Sequence, residues 1–193
     1  MCRAVTEFAA IVLAAGEGRR FGRNKMLAEI EGAPLVTRAL AAACASPVKQ
    51  VIAVVGAEAD RVSAVIREAA PSVTIVMAGD YAEGMAASLR AGLGAVAEDV
   101  DAVAIFLGDM PDVPHGLAGQ LFAALGESPA AAPVHDGRRG HPAVFARSLF
   151  PRLMALSGDT GARDLFRDLG EGWGRVPCDD PGIFRDIDVP PQS

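Results

Sequence analysis

Short apolar runs alternate with amphipathic stretches along almost the whole chain. Phe8–Ala15 is continuously apolar, and Val51–Val55 and Val73–Val76 are shorter runs of the same kind. Ala102–Leu107 has apolar residues on both alternating faces, which predicts a strand buried in the middle of a sheet. Helical stretches lie between these runs. Pro34–Ala45 starts with a proline suited to a first helical turn, and Glu58–Ala69 sets Val62, Val65, Ile66 and Ala69 on one helical face. Met85–Ala97 is a third. Further on, Pro114–Leu125, Arg147–Leu156 and Ala162–Leu169 read as helices, and Ala130–Val134 and Ala143–Phe145 as short strands. Ile183–Val189 alternates weakly and is predicted to return to the sheet. This alternation predicts a three-layer α/β/α sandwich around a mostly parallel sheet.

A chain of 193 residues suits one domain, residues 1–193, and shows no internal repeat. The Phe8–Ala15 run is far too short to cross a bilayer and follows Glu7 rather than a cationic segment, so a first buried strand is expected. The formal net charge of -6 argues against a nucleic-acid or membrane surface and favours a small anionic ligand. Cys2, Cys44 and Cys178 are isolated, with neither disulfide-framework nor zinc spacing. A reducing, cytoplasmic setting is therefore expected.

In open parallel sheets, ligands bind beyond the carboxyl ends of the strands, so chemistry should sit in the loops that follow them. The first such loop, Leu13-Ala14-Ala15-Gly16-Glu17-Gly18-Arg19-Arg20-Phe21-Gly22-Arg23-Asn24-Lys25, carries three glycines and four of the chain's 18 lysines and arginines. Glycines let backbone N–H groups face anionic oxygens, and Arg and Lys supply charge where a phosphate would lie. It is not a dinucleotide fingerprint, because Phe21 stands where the third glycine of G-x-G-x-x-G is needed. Nor is it a P-loop, since neither Lys25 nor Lys49 follows a glycine.

A second strand-end motif is Gly108-Asp109-Met110-Pro111, which places a carboxylate after the buried strand. Asp109 in that position suits either a hard cation or a turn or helix cap. Magnesium is held by one or two carboxylates together with substrate phosphates. Asp186-Ile187-Asp188 is the natural second source, with both acids on one face if the segment is extended.

The pattern L-A-A-G-x-x-x-R-x-G-x-x-K at Leu13–Lys25 resembles the signature loop of MobA-like nucleotidyltransferases. Gly84-Met85-Ala86-Ala87-Ser88-Leu89, Gly108-Asp109-Met110-Pro111, Gly140-His141-Pro142 with Phe145, Gly158-Asp159-Thr160-Gly161-Ala162-Arg163 and Asp186-Ile187-Asp188 follow in the family's order. The set is most similar to the molybdenum cofactor cytidylyltransferase branch, because Ala15 stands where guanylyl-transferring relatives usually carry glycine.

The resemblance implies a Rossmann-like nucleotide-diphospho-sugar transferase (GT-A-like) fold, with the nucleotide in the N-terminal half and the acceptor in the C-terminal half. It implies Mg2+-dependent transfer of CMP from CTP to the phosphate of molybdopterin, with release of pyrophosphate. By the same resemblance Lys25 and Arg20 bind the triphosphate, and the backbone of Leu13, Ala14, Ala15 and Gly16 contacts the nucleotide. Gly84 and Ser88 flank the base, while Asp109 holds Mg2+ with Asp188. His141, Gly140 and Arg163 fall to the acceptor, although Gly-His-Pro can equally shape a turn and Asp159 or Thr160 can equally cap a helix. A recipient molybdoenzyme is an implied partner. The Thr-Pro-Glu-Asp common after the last motif is replaced by Val189-Pro190-Pro191-Gln192-Ser193. Two other classes remain: an oxidoreductase relative, which lacks the usual ribose-binding acid here, and a cofactor carrier or chaperone.

Overall fold

The computed structural model describes residues 7–18, 21, 24–159 and 162–188. Strands β1 (Glu7–Ala14), β4 (Gln50–Val55), β5 (Thr74–Met77), β6 (Val100–Leu107), β7 (Ala130–His135), β8 (Arg138–Arg139), β9 (Ala143–Ala146) and β10 (Gly174–Pro177) form one sheet. Its order is β10-β7-β9-β6-β1-β4-β5, with β8 paired to β7. β9 runs antiparallel to both of its neighbours, β6 and β7, and the other pairs along that path are parallel. A separate hairpin joins β2 (Glu29–Ile30) to β3 (Ala33–Pro34).

Side-chain alternation along β1 divides the core. Ala10, Val12 and Ala14 face helices α1 (Leu35–Cys44), α2 (Ala59–Ala69) and α4 (Leu117–Leu125). Ala9 and Ile11 face α3 (Met85–Gly94), α5 (Phe150–Met154) and α6 (Arg163–Leu169). Because both faces are covered, β1 and β6 are apolar throughout their middles, and the three-layer α/β/α expectation holds. Among the described residues, no helix is long and apolar enough to cross a membrane.

The structure moves several boundaries for local reasons. α4 begins at Leu117 rather than Pro114, because Gly116 takes a left-handed φ of 85° immediately before it. α3 stops at Gly94, where the Gln50 side chain bonds the Ala95 carbonyl and the Ala97 amide. The sheet's C-terminal strand is β10, parallel to β7, and residues 183–188 do not form a strand. Gly174 enters β10 so close to α4 that a Cβ there would lie 2.4 Å from the Ala124 carbonyl oxygen. β10 is short and framed by glycine and proline, so the apolar pattern does not mark it as a strand. Trp173 packs edge-on to Phe166 with ring centres 5.0 Å apart.

Candidate active site

From β1 the chain extends the sheet through β4 and β5, then crosses to β6 on the other side of β1. The crevice beyond the ends of β1 and β6 is therefore the switch point where open α/β sheets bind ligands. Leu13 and Leu107 are partners across these strands, and the Gly108 N–H donates to the Leu13 carbonyl at 2.9 Å. A Cβ on Gly108 would fall 2.9 Å from the Leu13 carbonyl oxygen, so glycine is what lets the two strand ends close together.

Lys25 and Asp109 meet at that crevice. The Lys25 Nζ donates to Asp109 Oδ2 at 2.6 Å and to Asp188 Oδ1 at 3.2 Å. Burial by itself would lower the lysine's pKa, but hydrogen bonds and Coulomb attraction from Asp109 and then Asp188 together raise it above the ordinary value. The ammonium is thus firmly charged at neutral pH. Asp188 rather than Asp186 joins Asp109, and Asp186 is exposed to solvent. Asp109 serves here as an acceptor for Lys25 and does not cap a helix.

Asn24 positions this lysine. Its amide Nδ2 donates to the Ala57 carbonyl at 2.8 Å, its Oδ1 accepts from the Met26 N–H at 3.0 Å, and the side chain is almost fully buried. The end of the β1 loop is thereby tied to the end of β4. Sequence reasoning passed over Asn24, because a polar residue among loop residues carries no signal of burial.

A cavity of about 400 Å³ opens here, lined by Leu13, Ala15, Gly16, Gly18, Lys25, Gly84, Ser88 and Asp109 among others. Of the described residues assigned to the nucleotide, only Ala14 is not in the lining; its side chain packs in the core beside β4. Arg20 lies outside the described residues, as do Arg19, Arg23 and Thr160. Tyr81 also lines the cavity and was not anticipated; it packs over Gly56 at the end of β4. Gly84 has φ 114°, and a Cβ there would meet the Gly158 backbone at 2.5 Å. Its lack of a side chain lets the Gly158–Asp159 loop touch the start of α3, where the Ala86 N–H donates to the Gly158 carbonyl.

A second cavity, of about 450 Å³, adjoins the first and shares Leu13, Met85, Leu107 and Asp159 with it. Its own walls are apolar residues of β6, β9 and α3, with Arg139, His141, Arg163 and Asp164. Arg138 and Arg139 form β8, joined to β7 by the Asp136-Gly137 turn with both φ values positive. Asp-Gly between strands is a hairpin signal that the sequence did contain. Alternation then sends the two arginines to opposite faces: Arg138 lies over Phe184 and Arg139 over Phe166, 4.2 Å from its centre. No acid among the described residues pairs with Arg139 or Arg163 within ion-pair distance, and Asp164 pairs instead with Arg167.

His141 is partly buried, and its Nδ1, shielded from solvent, has no hydrogen-bond partner among the described residues. Burial, then the charge of Arg139, lower its pKa to about 4; Asp109 opposes this and Arg163 adds to it. It is a neutral imidazole at pH 7. Gly140 is chosen by packing, because a Cβ there would lie 2.7 Å from the buried Ile183 side chain. The His141 N–H donates to the Ile183 carbonyl at 2.9 Å. Gly-His-Pro thus shapes the backbone, and of its three residues His141 lines the cavity while Gly140 does not. The residue at the start of α6 is Ala162, with no side-chain cap.

The mostly parallel sheet that carries these cavities at its switch point is shared with solved nucleotidyltransferases of the nucleotide-diphospho-sugar transferase fold. Among them, a nucleotidyl transferase from Methanothermobacter thermautotroptrophicus superposes with a TM-score of 0.74 at 21% identity, over 96% of this chain and 93% of that one. The family model of the MobA-like NTP transferase domain matches residues 10–173, and the chain belongs to that family. It is 29% identical to the purine catabolism protein PucB of Bacillus subtilis, over 93% of this chain and 91% of that one. It is 31% identical to the molybdenum cofactor guanylyltransferase of Rhodobacter capsulatus, over 94% of this chain and 90% of that one. The crystal structure of Rv0371c from Mycobacterium tuberculosis superposes with a TM-score of 0.84 at 26% identity, covering 95% of this chain and 94% of that one. A structure of Rv0371c with manganese gives a TM-score of 0.78 at 24% identity, covering 91% and 90%.

Proposed function

We propose that this nucleotidyltransferase moves CMP from CTP to the phosphate of molybdopterin and releases pyrophosphate, with Mg2+ as its cation. The observation that carries the reading is the pair of adjoining cavities: one ends at Lys25 and Asp109, the other at two arginines that have no acid partner among the described residues. The donor triphosphate fits the first and an anionic acceptor the second. CTP as donor rests on Ala15 in the first loop. Molybdopterin as acceptor rests on the order of motifs and on likeness to the molybdenum cofactor guanylyltransferase.

In the proposed reaction an acceptor phosphate oxygen forms a bond to the α-phosphorus of CTP while the bond to the β-phosphate oxygen breaks. Pyrophosphate leaves with that electron pair. Such transfer needs positioning and charge neutralisation more than covalent catalysis. Lys25, with Arg20, would neutralise the departing pyrophosphate, and the open backbone of Gly16 and Gly18 would face its oxygens. Asp109 and Asp188 converge on one point and fit a hard cation that takes its remaining ligands from phosphate and water. Held there, the cation would spread the developing phosphate charge. Gly84 and Ser88 would border the base. Arg163 and Arg139 would hold the acceptor phosphate, while neutral His141 offers a hydrogen bond to an uncharged part of the acceptor.

Pyrophosphate release is measured with CTP, GTP and ATP, with and without molybdopterin. The reading expects pterin-dependent release with CTP, lost in Asp109→Ala. Release with CTP and a different phosphorylated acceptor would replace the acceptor and keep the donor.

A further inference from the structure

We propose that the Lys25 ammonium acts as a counter-ion that closes the Asp109–Asp188 pair to a bare divalent cation, so that metal enters together with the polyphosphate and not ahead of it. This rests on the reading of those two aspartates as the metal ligands.

The geometry is a contest for one position. Lys25 Nζ sits 2.6 Å from Asp109 Oδ2 and 3.2 Å from Asp188 Oδ1. The carboxylates come from distant parts of the chain, yet the Ile187 N–H bonds the Asp109 carbonyl at 3.0 Å and keeps them together. A magnesium-like ion binds carboxylate oxygens at roughly 2.0–2.1 Å, so it cannot share the space between them with an ammonium. An ion seated between these two oxygens therefore requires Lys25 to leave.

Lys25 is built to leave without disturbing the loop. Its backbone lies in a short 3-10 helix, Lys25–Leu27, anchored by Asn24, while the side chain is a flexible four-carbon stem. The same cavity offers it an alternative anion partner, because Gly16 and Gly18 line the wall where phosphates would lie. A polyphosphate that draws Lys25 toward itself frees the aspartates for the cation. By linkage, the cation in turn strengthens polyphosphate binding by the same factor.

The test is Mn2+ titration followed by electron paramagnetic resonance on the nucleotide-free protein. Lys25→Met and Lys25→Gln are expected to bind Mn2+ at least tenfold more tightly than the wild type. Lys49→Met removes an equal charge from an ion pair with Asp99, away from the site, and is expected to change nothing. Adding Asp109→Asn to Lys25→Met is expected to abolish the gain. Affinity in both Lys25 variants equal to or weaker than wild type would overturn the proposal, as would the same gain in Lys49→Met. Tighter Mn2+ binding without pyrophosphate release from any nucleotide would uphold the counter-ion role and sink the catalytic reading instead; release without the gain would do the reverse.

Discussion

The Ile187 N–H donates to the Asp109 carbonyl at 3.0 Å, which fixes the C-terminal segment to the exit of β6 at the point where Asp188 and Asp109 both reach Lys25. The same segment passes Ile183, whose carbonyl accepts from the His141 N–H in the second cavity. Residues 180–188 therefore touch both halves of the site. Arg185 strengthens the attachment through Asp112, which also receives Arg38 from α1.

Gly182 is where this segment comes closest to the rest of the fold. A Cβ there would lie 2.0 Å from the Asp112 carbonyl oxygen, a backbone atom that cannot rotate aside. Gly182→Ala is expected to cost about 1–3 kcal/mol of stability, in the range of overpacking, and to move Asp188. Thermal unfolding together with the Mg2+ dependence of turnover checks both parts. Unchanged metal dependence would show that Asp188 does not rely on this contact.

Gly92 tests the close approach of α3 to the sheet. Alanine favours a helix over glycine by about 1 kcal/mol, which would argue for stabilisation. However, the added Cβ would stand 2.7 Å from Ile11 Cγ2 and 3.0 Å from Val54 Cγ2, on wholly buried residues of β1 and β4. Overpacking of that kind costs about 1–3 kcal/mol, so Gly92→Ala is expected to be destabilising in urea unfolding while leaving nucleotide binding in place. An increase in stability would contradict the packing described.

Asn24→Ala removes a donor from the Ala57 carbonyl and an acceptor from the Met26 N–H. Leaving buried groups unsatisfied costs about 1–3 kcal/mol. Because Lys25 is the next residue, turnover should fall roughly ten- to a hundredfold through misplacement of its head group. Steady-state kinetics on the folded variant separates this from simple unfolding.

His141 gives the protein a definite response to acid. Its folded pKa of about 4 lies below the ordinary value of 6.5, so between these pH values the unfolded chain binds the proton and the folded chain does not. The stability contributed by the neutral imidazole is complete above the unfolded pKa and declines as pH falls toward 4. Over that window the wild type should lose up to about 3 kcal/mol more than His141→Gln. Urea midpoints of both proteins at the two ends of the window measure it. Parallel curves would show that the imidazole is not kept neutral by the fold.

The alternation of apolar runs and helical stretches made the layered α/β architecture legible, since burial on both faces leaves a direct mark on β1 and β6. The strand-end loops were legible for the same reason, and the structure does bring Lys25, Asp109 and Asp188 together from them. What stayed hidden depends on contacts between distant segments. Nothing local marks Asn24 as buried, or Tyr81 as the neighbour of Gly56. β10 holds a single buried residue, Val176, too little to show a period, and the weak alternation after Ile183 was mistaken for its strand. Arg139 was recoverable: the Asp136-Gly137 turn fixes the hairpin, and the hairpin sends Arg139 and Arg138 to opposite faces.

The proposed transfer is tested most directly by the mass of its product. Molybdopterin is incubated with CTP, Mg2+ and the protein, and the pterin is then examined by mass spectrometry. The account predicts a pterin heavier by one CMP, formed together with pyrophosphate, and a yield lower by orders of magnitude with folded Lys25→Ala. Unmodified pterin, or equal yield from Lys25→Ala, would contradict it.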